Sequence, residues 1–265
     1  MSYFTDSSPL RQLTGHRLSG LGGPRALLMM AAHPVAFAGF FAHTRALADP
    51  YVRLERTARV LDAIAFGPRA EADRLSRRVR AIHSRVRGTL AEPAGRFPAG
   101  TPYRGDDPEL LLWILACLAD SGMLVYGKYV RRLDRSARDA LWRDYRVVGR
   151  HFGLADEDMP RTIADFDAYM RSRLTGGDLF VTEPARELAV DIVMHPPVPV
   201  HLRPLVELVN QITVGLLPPP IRRMYGFSWD PLRSLALHAG AEYVKRLLVP
   251  VLPSRIARVP QARAA

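Results

Sequence analysis

The sequence predicts an all-α protein, a single multi-helix globular domain, and three observations favour this prediction. Helix-start signals recur along the chain, apolar residues between them repeat with helical spacing, and alternating strand patterns are nearly absent. The chain of 265 residues is long enough for one sizeable core and short for two domains. Typical helix lengths predict roughly eight to ten helices.

The predicted helix starts share one pattern, a capping side chain followed by proline. Proline at the first helical position gives up only an amide that has no helical partner, and the side chain before it caps the next free amides. The pattern occurs at Asp49-Pro50, Asp107-Pro108 and Asp230-Pro231, with a variant at Thr182-Glu183-Pro184.

Between these starts, apolar residues recur at helical spacing. One row is Leu75, Val79, Ile82 and Val86, with Gly88 as the predicted C-cap; another is Leu141, Tyr145, Val148 and Phe152, with Gly153 as the predicted C-cap. Residues 108–126 are apolar nearly all round, which predicts a central buried helix. Prolines and glycines predict loops over 91–105, 196–204 and 218–220.

The net charge of +11 comes almost wholly from arginine, since Lys128 and Lys245 are the only lysines. The arginines are scattered over most predicted helices and aromatic residues are few, so no nucleic-acid partner is expected. The predicted helical core spans about residues 22–230. The remaining basic and apolar extension covers about 231–265. It leaves two outcomes open, an ordinary solvated surface rich in arginine or peripheral contact with an anionic membrane.

The sequence favours a cytoplasmic location over secretion. No apolar run reaches the length of a membrane span, and Leu27–Phe41 is interrupted by His33 and Pro34. Basic residues before this segment and Ala46-Leu47-Ala48 after it imitate a signal peptide. The preceding region is, however, about 26 residues long and contains Asp6, which is untypical of such a signal.

His83 is the strongest candidate for holding a cofactor. It lies one turn after Val79, at the edge of the apolar row, where a hydrogen-bonded core histidine is also a common outcome. Arg80 and Arg87 lie about one turn before and after it on the predicted helix. An imidazole between two guanidinium groups suits a heme, with iron on the ring nitrogen and propionates held by arginine.

Two further clusters could carry chemistry. Arg53 and Thr57 are one helical turn apart, so they either form a polar pair in a pocket or make a salt bridge and a bond back to a helix carbonyl. His33 precedes Pro34 within an apolar stretch, where proline breaks helical hydrogen bonding. His33 either satisfies this broken helix or lines a pocket.

Other site types find less support in the sequence. The chain lacks the common hydrolase, nucleotide-binding and zinc-protease motifs. Cys117 lies in an apolar segment and is expected to be a buried core residue rather than a thiolate ligand. Glu187, Asp191 and His195 follow one another at four-residue spacing, and this row is expected to be a solvated face rather than a metal site.

The clusters just described also resemble a known family. The matching pieces run from about Gly22 to about Asp230 and are Ala32-His33-Pro34, Asp49-Pro50 with Arg53-x-x-Arg56-Thr57, Ile64-x-Phe66-Gly67, Arg80-x-x-His83 with Val86-x-Gly88, Tyr103 with Asp107-Pro108-Glu109-Leu110 and Trp113, and Pro218–Tyr225. In their order and spacing they resemble the heme oxygenases that include the rubber-cleaving latex-clearing proteins and the mycophenolic-acid-pathway chain-cleaving oxygenase.

The resemblance implies an all-helical domain that encloses heme b. It implies that His83 supplies the proximal iron ligand, that Arg53 and Thr57 form a polar pair in the heme pocket, and that Arg80 lies one turn before the ligand. Arg87 is a further candidate for the propionates, and His33 matches a recurring histidine that is a candidate catalytic residue.

One departure from the family bears on the substrate. Rubber-cleaving members carry a lysine just before the threonine, where this chain has Arg56. A guanidinium stays protonated and does not ligate iron as a neutral amine can, so rubber is not the expected substrate. A small, largely hydrophobic substrate, isoprenoid or lipid-like, together with dioxygen and an unidentified electron donor, is expected instead.

Two alternatives to a heme-dependent oxygenase remain open from the sequence. One is a heme oxidase or peroxidase, which takes electrons without inserting oxygen. The other is a non-catalytic helical module that docks on a membrane or partner through the region 221–263.

Overall fold

The computed structural model describes residues 1–44 and 50–262. Helices make up 69% of the molecule, and the described strands are two short ones, so the predicted all-α class is confirmed. The elements are α1 (Pro9–Thr14), α2 (Gly22–Ala31), α3 (Pro34–Thr44), α4 (Pro50–Phe66), α5 (Arg69–His83), β1 (Arg87–Thr89), β2 (Pro102–Arg104), α6 (Pro108–Tyr129), α7 (Arg135–Phe152), α8 (Ile163–Thr175), α9 (Glu183–Met194), α10 (Arg203–Leu216), α11 (Pro219–Met224), α12 (Pro231–Tyr243) and α13 (Ser254–Ala257).

Helix α6 forms the centre of the fold, as its apolar sequence predicted. It packs against α2, α3, α7 and α12, and α2 in turn contacts α9 and α10. The expectation that no apolar run reaches the length of a membrane span was wrong, because α6 is long and apolar enough to cross a membrane, the one such helix among those described. Its apolar window is 61% buried inside the fold, which is the environment of a core helix.

Most predicted helix starts are confirmed by their capping bonds. The carboxylate of Asp107 accepts from the amide of Glu109 at 2.9 Å, and that of Asp230 accepts from the amide of Arg233 at 2.8 Å. Thr182 caps α9 in the same way. Helix α4 begins at Pro50, while its predicted cap Asp49 and the triplet 46–48 lie outside the described residues.

The end of α5 differs from the prediction. The helix stops at His83 with Ser84 as its C-cap, so Val86, Arg87 and Gly88 lie outside it. The predicted position of Arg87, one helical turn after His83, is therefore wrong, because Arg87 begins β1. The segment predicted as a loop over 91–105 instead ends in a strand, because β2 pairs antiparallel with β1.

The predicted number of helices was also too low. The described residues contain thirteen α-helices, because several short ones fall where prolines predicted loops or follow them. Helix α11 begins at Pro219, and a 3-10 turn at Val200–Leu202 leads directly into α10. Proline at the first helical positions starts such helices as readily as it interrupts longer ones.

Candidate functional site

His83 is the last residue of α5 and lies half-buried at the edge of the core. Its Nδ1 atom is shielded from solvent and has no hydrogen-bond partner among the described residues. Burial lowers the pKa of the imidazole, the charge of Arg53 lowers it further, and the carboxylate of Asp106 opposes both. The ring is therefore neutral at pH 7, and its Nδ1 is one of ten buried side-chain polar atoms that lack a hydrogen-bond partner among the described residues.

A tight hairpin begins directly after His83 and closes the end of α5. The amide of Val86 donates to the carbonyl of His83 at 3.0 Å, and Gly88 then pairs with Tyr103 across the two strands. A Cβ atom on Gly88 would lie 2.4 Å from the Tyr103 hydroxyl oxygen, and one on Gly105 would lie 2.8 Å from the His83 carbonyl oxygen. Close approach of the chain to itself therefore requires both glycines.

Arg53, on α4, is the cation that acts on His83. Burial lowers the pKa of its own guanidinium, although an arginine remains charged at neutral pH. Thr57 is exposed, and its hydroxyl donates to the Arg53 carbonyl at 3.0 Å. Of the two arrangements that the sequence left open for Thr57, the structure has the bond back to the helix.

The two arginines that flank His83 in sequence have protein partners. Arg80 donates through Nη1 to the carbonyl of His151 at 2.7 Å and so ties α5 to the end of α7. Arg87, on β1, donates to the carbonyl of Ser84 at 3.2 Å and lies 3.9 Å from the carboxylate of Asp106. The structure thus brings the charge of Arg53 to His83 and engages Arg80 and Arg87 elsewhere.

His33 lies between α2 and α3, where Pro34 interrupts the helix as predicted. The side chain is 4% exposed, and its Nδ1 accepts from the amide of Ala36 at 3.3 Å. The carbonyl of Ala32, freed by the break, accepts from the amide of Phe180 at 2.8 Å. The imidazole therefore satisfies one of the amides at the start of α3, which is the structural role that the sequence left open.

The surroundings of His33 are aromatic and charged. Its ring centroid lies 5.6 Å from that of Phe97 and 6.3 Å from that of Trp113, whose buried indole nitrogen has no partner among the described residues. Burial lowers the pKa of His33 to about 4, with a smaller contribution from the charge of Arg173. His33 is therefore a neutral base at pH 7, and the charges that act on it differ from those that act on His83.

Sequence reasoning missed some of the charged residues in these clusters. Asp106 could have been found, because it lies between Gly105 and the helix cap Asp107 in a motif already singled out. Arg173, by contrast, pairs with Glu109, which is 64 residues away in sequence, and no local pattern indicates a contact over such a separation.

The remaining candidates behave as buried or solvated residues. Cys117 is fully buried and its pKa is raised well above the ordinary value by burial, so it is a protonated core thiol. His195 and Asp191 are largely exposed and lie 3.9 Å apart. No group of three metal-ligating side chains occurs among the described residues.

Two clefts of the described surface are lined by residues other than His83. One has a volume of about 540 Å³ and lies between the end of α9 and the start of α10. The other, of about 410 Å³, is lined by Tyr3, Asp73, Arg80, Val147, Arg150 and His151. Of the predicted site residues, Arg80 alone lines either cleft.

Comparison with known proteins gives two kinds of match. The chain is 26% identical over 186 residues to the uncharacterized protein Mb2261 of Mycobacterium bovis, and equally to the uncharacterized protein Rv2237 of Mycobacterium tuberculosis. Each match covers 68% of this chain and 68% of the relative. No solved structure matches the chain significantly.

The second match is to a protein family and covers residues 11–246, most of the chain. It includes both histidine clusters, α4 with Arg53, and the hairpin that closes α5. The chain therefore belongs to the family of the ER-bound oxygenase mpaB/B'/rubber oxygenase catalytic domain.

Proposed function

We propose that this protein is a heme b-dependent oxygenase that uses dioxygen on a small, largely hydrophobic substrate. Membership of an oxygenase family supports the reaction class and an enzymatic, oxidoreductase role. The observation that carries the heme assignment is the buried Nδ1 of His83, which has no partner among the described residues. Heme, when bound, would supply the activation of dioxygen.

The chemistry of His83 fits an iron ligand. An imidazole must be neutral to offer a nitrogen lone pair to iron, and the lowered pKa of His83 keeps it neutral at pH 7. A nitrogen already bonded to the protein would have to give up that bond, whereas this nitrogen has none to lose. The residue at the end of α5 is thus suited to hold the metal.

Arg53 is the best-supported charged residue of the proposed site. Its guanidinium acts electrostatically on His83, so it is close enough to attract a propionate or to stabilise negative charge that develops nearby. Thr57 bonds to the Arg53 carbonyl one turn away on α4, and it is proposed as the partner of Arg53 in a polar pair. Arg80 and Arg87 remain candidates for the propionates, although they would have to exchange or share their partners His151 and Asp106.

His33 is proposed as a pocket base. With a pKa of about 4 it is neutral at pH 7, so it can accept a proton but does not carry one to donate. Arg56 in place of lysine favours a substrate other than rubber, and we propose an isoprenoid or lipid-like compound. The electron donor, where one is required, is a separate partner.

The heme assignment is tested by the absorbance of protein reconstituted with hemin. We expect the unaltered protein to give a Soret band that His83→Ala loses, because no other ligand is assigned to the iron. His201→Ala, a change at an exposed residue outside the site, is the matched control and should retain the band. Full retention of the band by a folded His83→Ala protein would show that His83 is not the ligand.

The reaction class is tested with isotopically labelled dioxygen. Isoprenoid and fatty-acyl compounds are incubated with the heme-loaded protein and the products are analysed by mass spectrometry. Label in the product is the expected result. Substrate oxidation without label would identify an oxidase or peroxidase, and a protein that binds no heme would favour the non-catalytic docking module.

A further inference from the structure

Helix α12 presents an apolar row to solvent, the reverse of the usual arrangement. Leu232, Ala236, Ala239 and Tyr243 follow one another at i, i+4, i+7 and i+11, and all are exposed. Leu235 lies beside them on the same face. The side of α12 that packs inward contributes one buried residue, Ala241. A helix normally turns its apolar row toward the core, so this row lacks a covering surface in the described part of the chain.

The exposed row continues beyond α12. Leu247 follows Tyr243 by four residues in the adjoining helical turn, and α10 packs against α12 while exposing Leu205 and Leu208. The five leucines that define this surface are 56–75% exposed, and we name them the leucine face: Leu205, Leu208, Leu232, Leu235 and Leu247. Single exposed leucines are ordinary, but a set on neighbouring helices marks an interaction site.

The chain around the leucine face is strongly basic. Residues 200–262 contain eight arginines or lysines and three carboxylates. Two of these carboxylates are already engaged, since Asp230 pairs with Arg233 at 3.2 Å and Glu242 pairs with both Lys245 and Arg246. The segments that carry the leucine face therefore hold a surplus of positive charge, so a partner that is both apolar and negatively charged complements them.

An apolar surface with a surplus of positive charge fits a lipid bilayer better than it fits a second copy of the chain. A symmetric dimer through this face would place the same basic residues of both copies against one another, and like charges at an interface are costly. An anionic lipid surface offers acyl chains to the leucines and headgroup phosphates to the arginines. We propose that α10, α12 and the turn after α12 dock this protein on an anionic membrane surface through the leucine face.

Vesicle flotation tests the proposal. The protein is mixed with vesicles of phosphatidylcholine alone or with added phosphatidylglycerol. We expect binding to the mixed vesicles that falls with rising salt, and weaker binding to the neutral ones. Replacing Leu232 and Leu235 together by serine should weaken binding by on the order of tenfold or more, since each leucine loses its transfer into the acyl region.

Matched variants on α5 distinguish binding through the leucine face from non-specific effects of exposed apolar or positively charged residues. Ile82→Ser alters an exposed isoleucine of α5, 53% exposed, and should leave binding unchanged. Arg233→Gln with Arg246→Gln should weaken binding to anionic vesicles by about tenfold or more, whereas Arg77→Gln with Arg78→Gln, on α5, should have little effect. Flotation does not depend on heme, so it succeeds or fails independently of the oxygenase assignment.

Three results would overturn the proposal. One is the absence of binding to anionic vesicles, and another is an equal loss of binding in the Ile82→Ser control. The third is a stable dimer in solution that the leucine double variant converts to monomers without any effect on vesicles. Light scattering on the same preparations measures the oligomeric state, and that result would assign the leucine face to a second copy.

Discussion

The buried His33 and the half-buried His83 differ in the hydrogen bonds of their imidazole rings. Burial lowers the pKa of both rings, so both are neutral at pH 7. His33 accepts a bond from the amide of Ala36, whereas the buried nitrogen of His83 has no partner among the described residues. The difference in their bonding, rather than in their ionisation, leaves the Nδ1 of His83 available to iron, while the Nδ1 of His33 is engaged at the start of α3.

Ionisation of His33 should make the protein sensitive to acid. Its pKa falls from 6.5 to about 4 on folding, so the unfolded chain binds more protons between these values and stability is lost as pH falls through them. We expect the free energy of unfolding to drop by about 3 kcal/mol between pH 7 and pH 4 from this residue. Urea denaturation of the unaltered protein and of His33→Gln at the two pH values measures the difference.

The comparison with His33→Gln removes the contribution of other histidines. His16 and His151 also have pKa values lowered by burial, but they titrate in both proteins. His201→Gln, at an exposed position, is the control and should keep the full pH dependence. An equal loss of stability in the unaltered protein and in His33→Gln would contradict the assignment.

The position of a site residue on its helix could be predicted from the sequence, but its neighbours on other helices could not. The spacing of His83 after Val79 predicted a half-buried position, which the structure has, but the predicted apolar row was partly wrong. Ile82 is 53% exposed, and the buried residues of α5 are Ala72 and Ser76. The proximity of Arg53 depends on how α4 packs against α5, and helical period does not encode that packing. The resemblance to a family, rather than periodicity, was what joined the two residues in one site.

At the scale of elements, the hairpin after α5 determines the surroundings of His83. Its strands meet through the pairs Arg87 with Arg104, Gly88 with Tyr103 and Thr89 with Pro102. Helix α3 packs on this hairpin, where a Cβ on Gly39 would lie 3.0 Å from a methyl carbon of Val86. The hairpin that follows α5 is therefore held against α3.

Substituting Gly88 tests this close packing. In Gly88→Ala the new methyl group would meet the hydroxyl and ring of Tyr103 at 2.4–2.6 Å, so the hairpin must shift. We expect a loss of about 1–3 kcal/mol in the free energy of unfolding, which thermal or urea denaturation measures. Gly23→Ala, where nothing lies within 4 Å of the added atom, should cost little or stabilise α2. Equal stability of the two variants would refute the packing argument.

The elements that the sequence predicted well are those with local signals. Asp107, Thr182 and Asp230 cap the helices that follow them, because a cap and its amides lie within three residues. The prediction that Gly88 caps a helix was wrong because it used local signals alone. A glycine after an apolar row is typical of a helix end, but Gly88 pairs with Tyr103, fifteen residues away in an antiparallel strand.

At the scale of the whole molecule, Arg25 joins three helices of the core. Its guanidinium donates to the carboxylate of Asp120 at 2.7 Å, to the hydroxyl of Ser121 at 2.6 Å and to the carbonyl of Leu216 at 2.8 Å. Helices α2, α6 and α10 therefore meet at one side chain that is 3% exposed. All-α packing in this region combines an apolar core with a buried ionic connection.

Loss of this connection should lower the stability of the entire fold. Arg25→Met keeps the apolar stem but leaves Asp120 and the Leu216 carbonyl without their donor, so we expect a cost of about 3 kcal/mol. Arg131→Met, at an exposed position, is the control and should be near neutral. Adding Asp120→Asn to Arg25→Met should recover part of the loss in urea denaturation. A near-neutral Arg25→Met would contradict the role of Arg25.

The overall class could be predicted because helical period dominates the chain, and the basic C-terminal region was visible from composition. The leucine face was not, since Leu232 and Leu235 have the spacing that ordinarily indicates a core-facing row. Whether such a row turns inward or outward depends on which surfaces the remaining helices already fill.

The thiol of Cys117 can report the separation of the helices that surround α6. It is the single thiol of the chain, lies on the central helix α6, and is fully buried and protonated. An alkylating reagent can reach it only when the helices around α6 separate. The rate of thiol labelling therefore reports the population of globally opened molecules, in dilute solution or on vesicles, without an engineered probe.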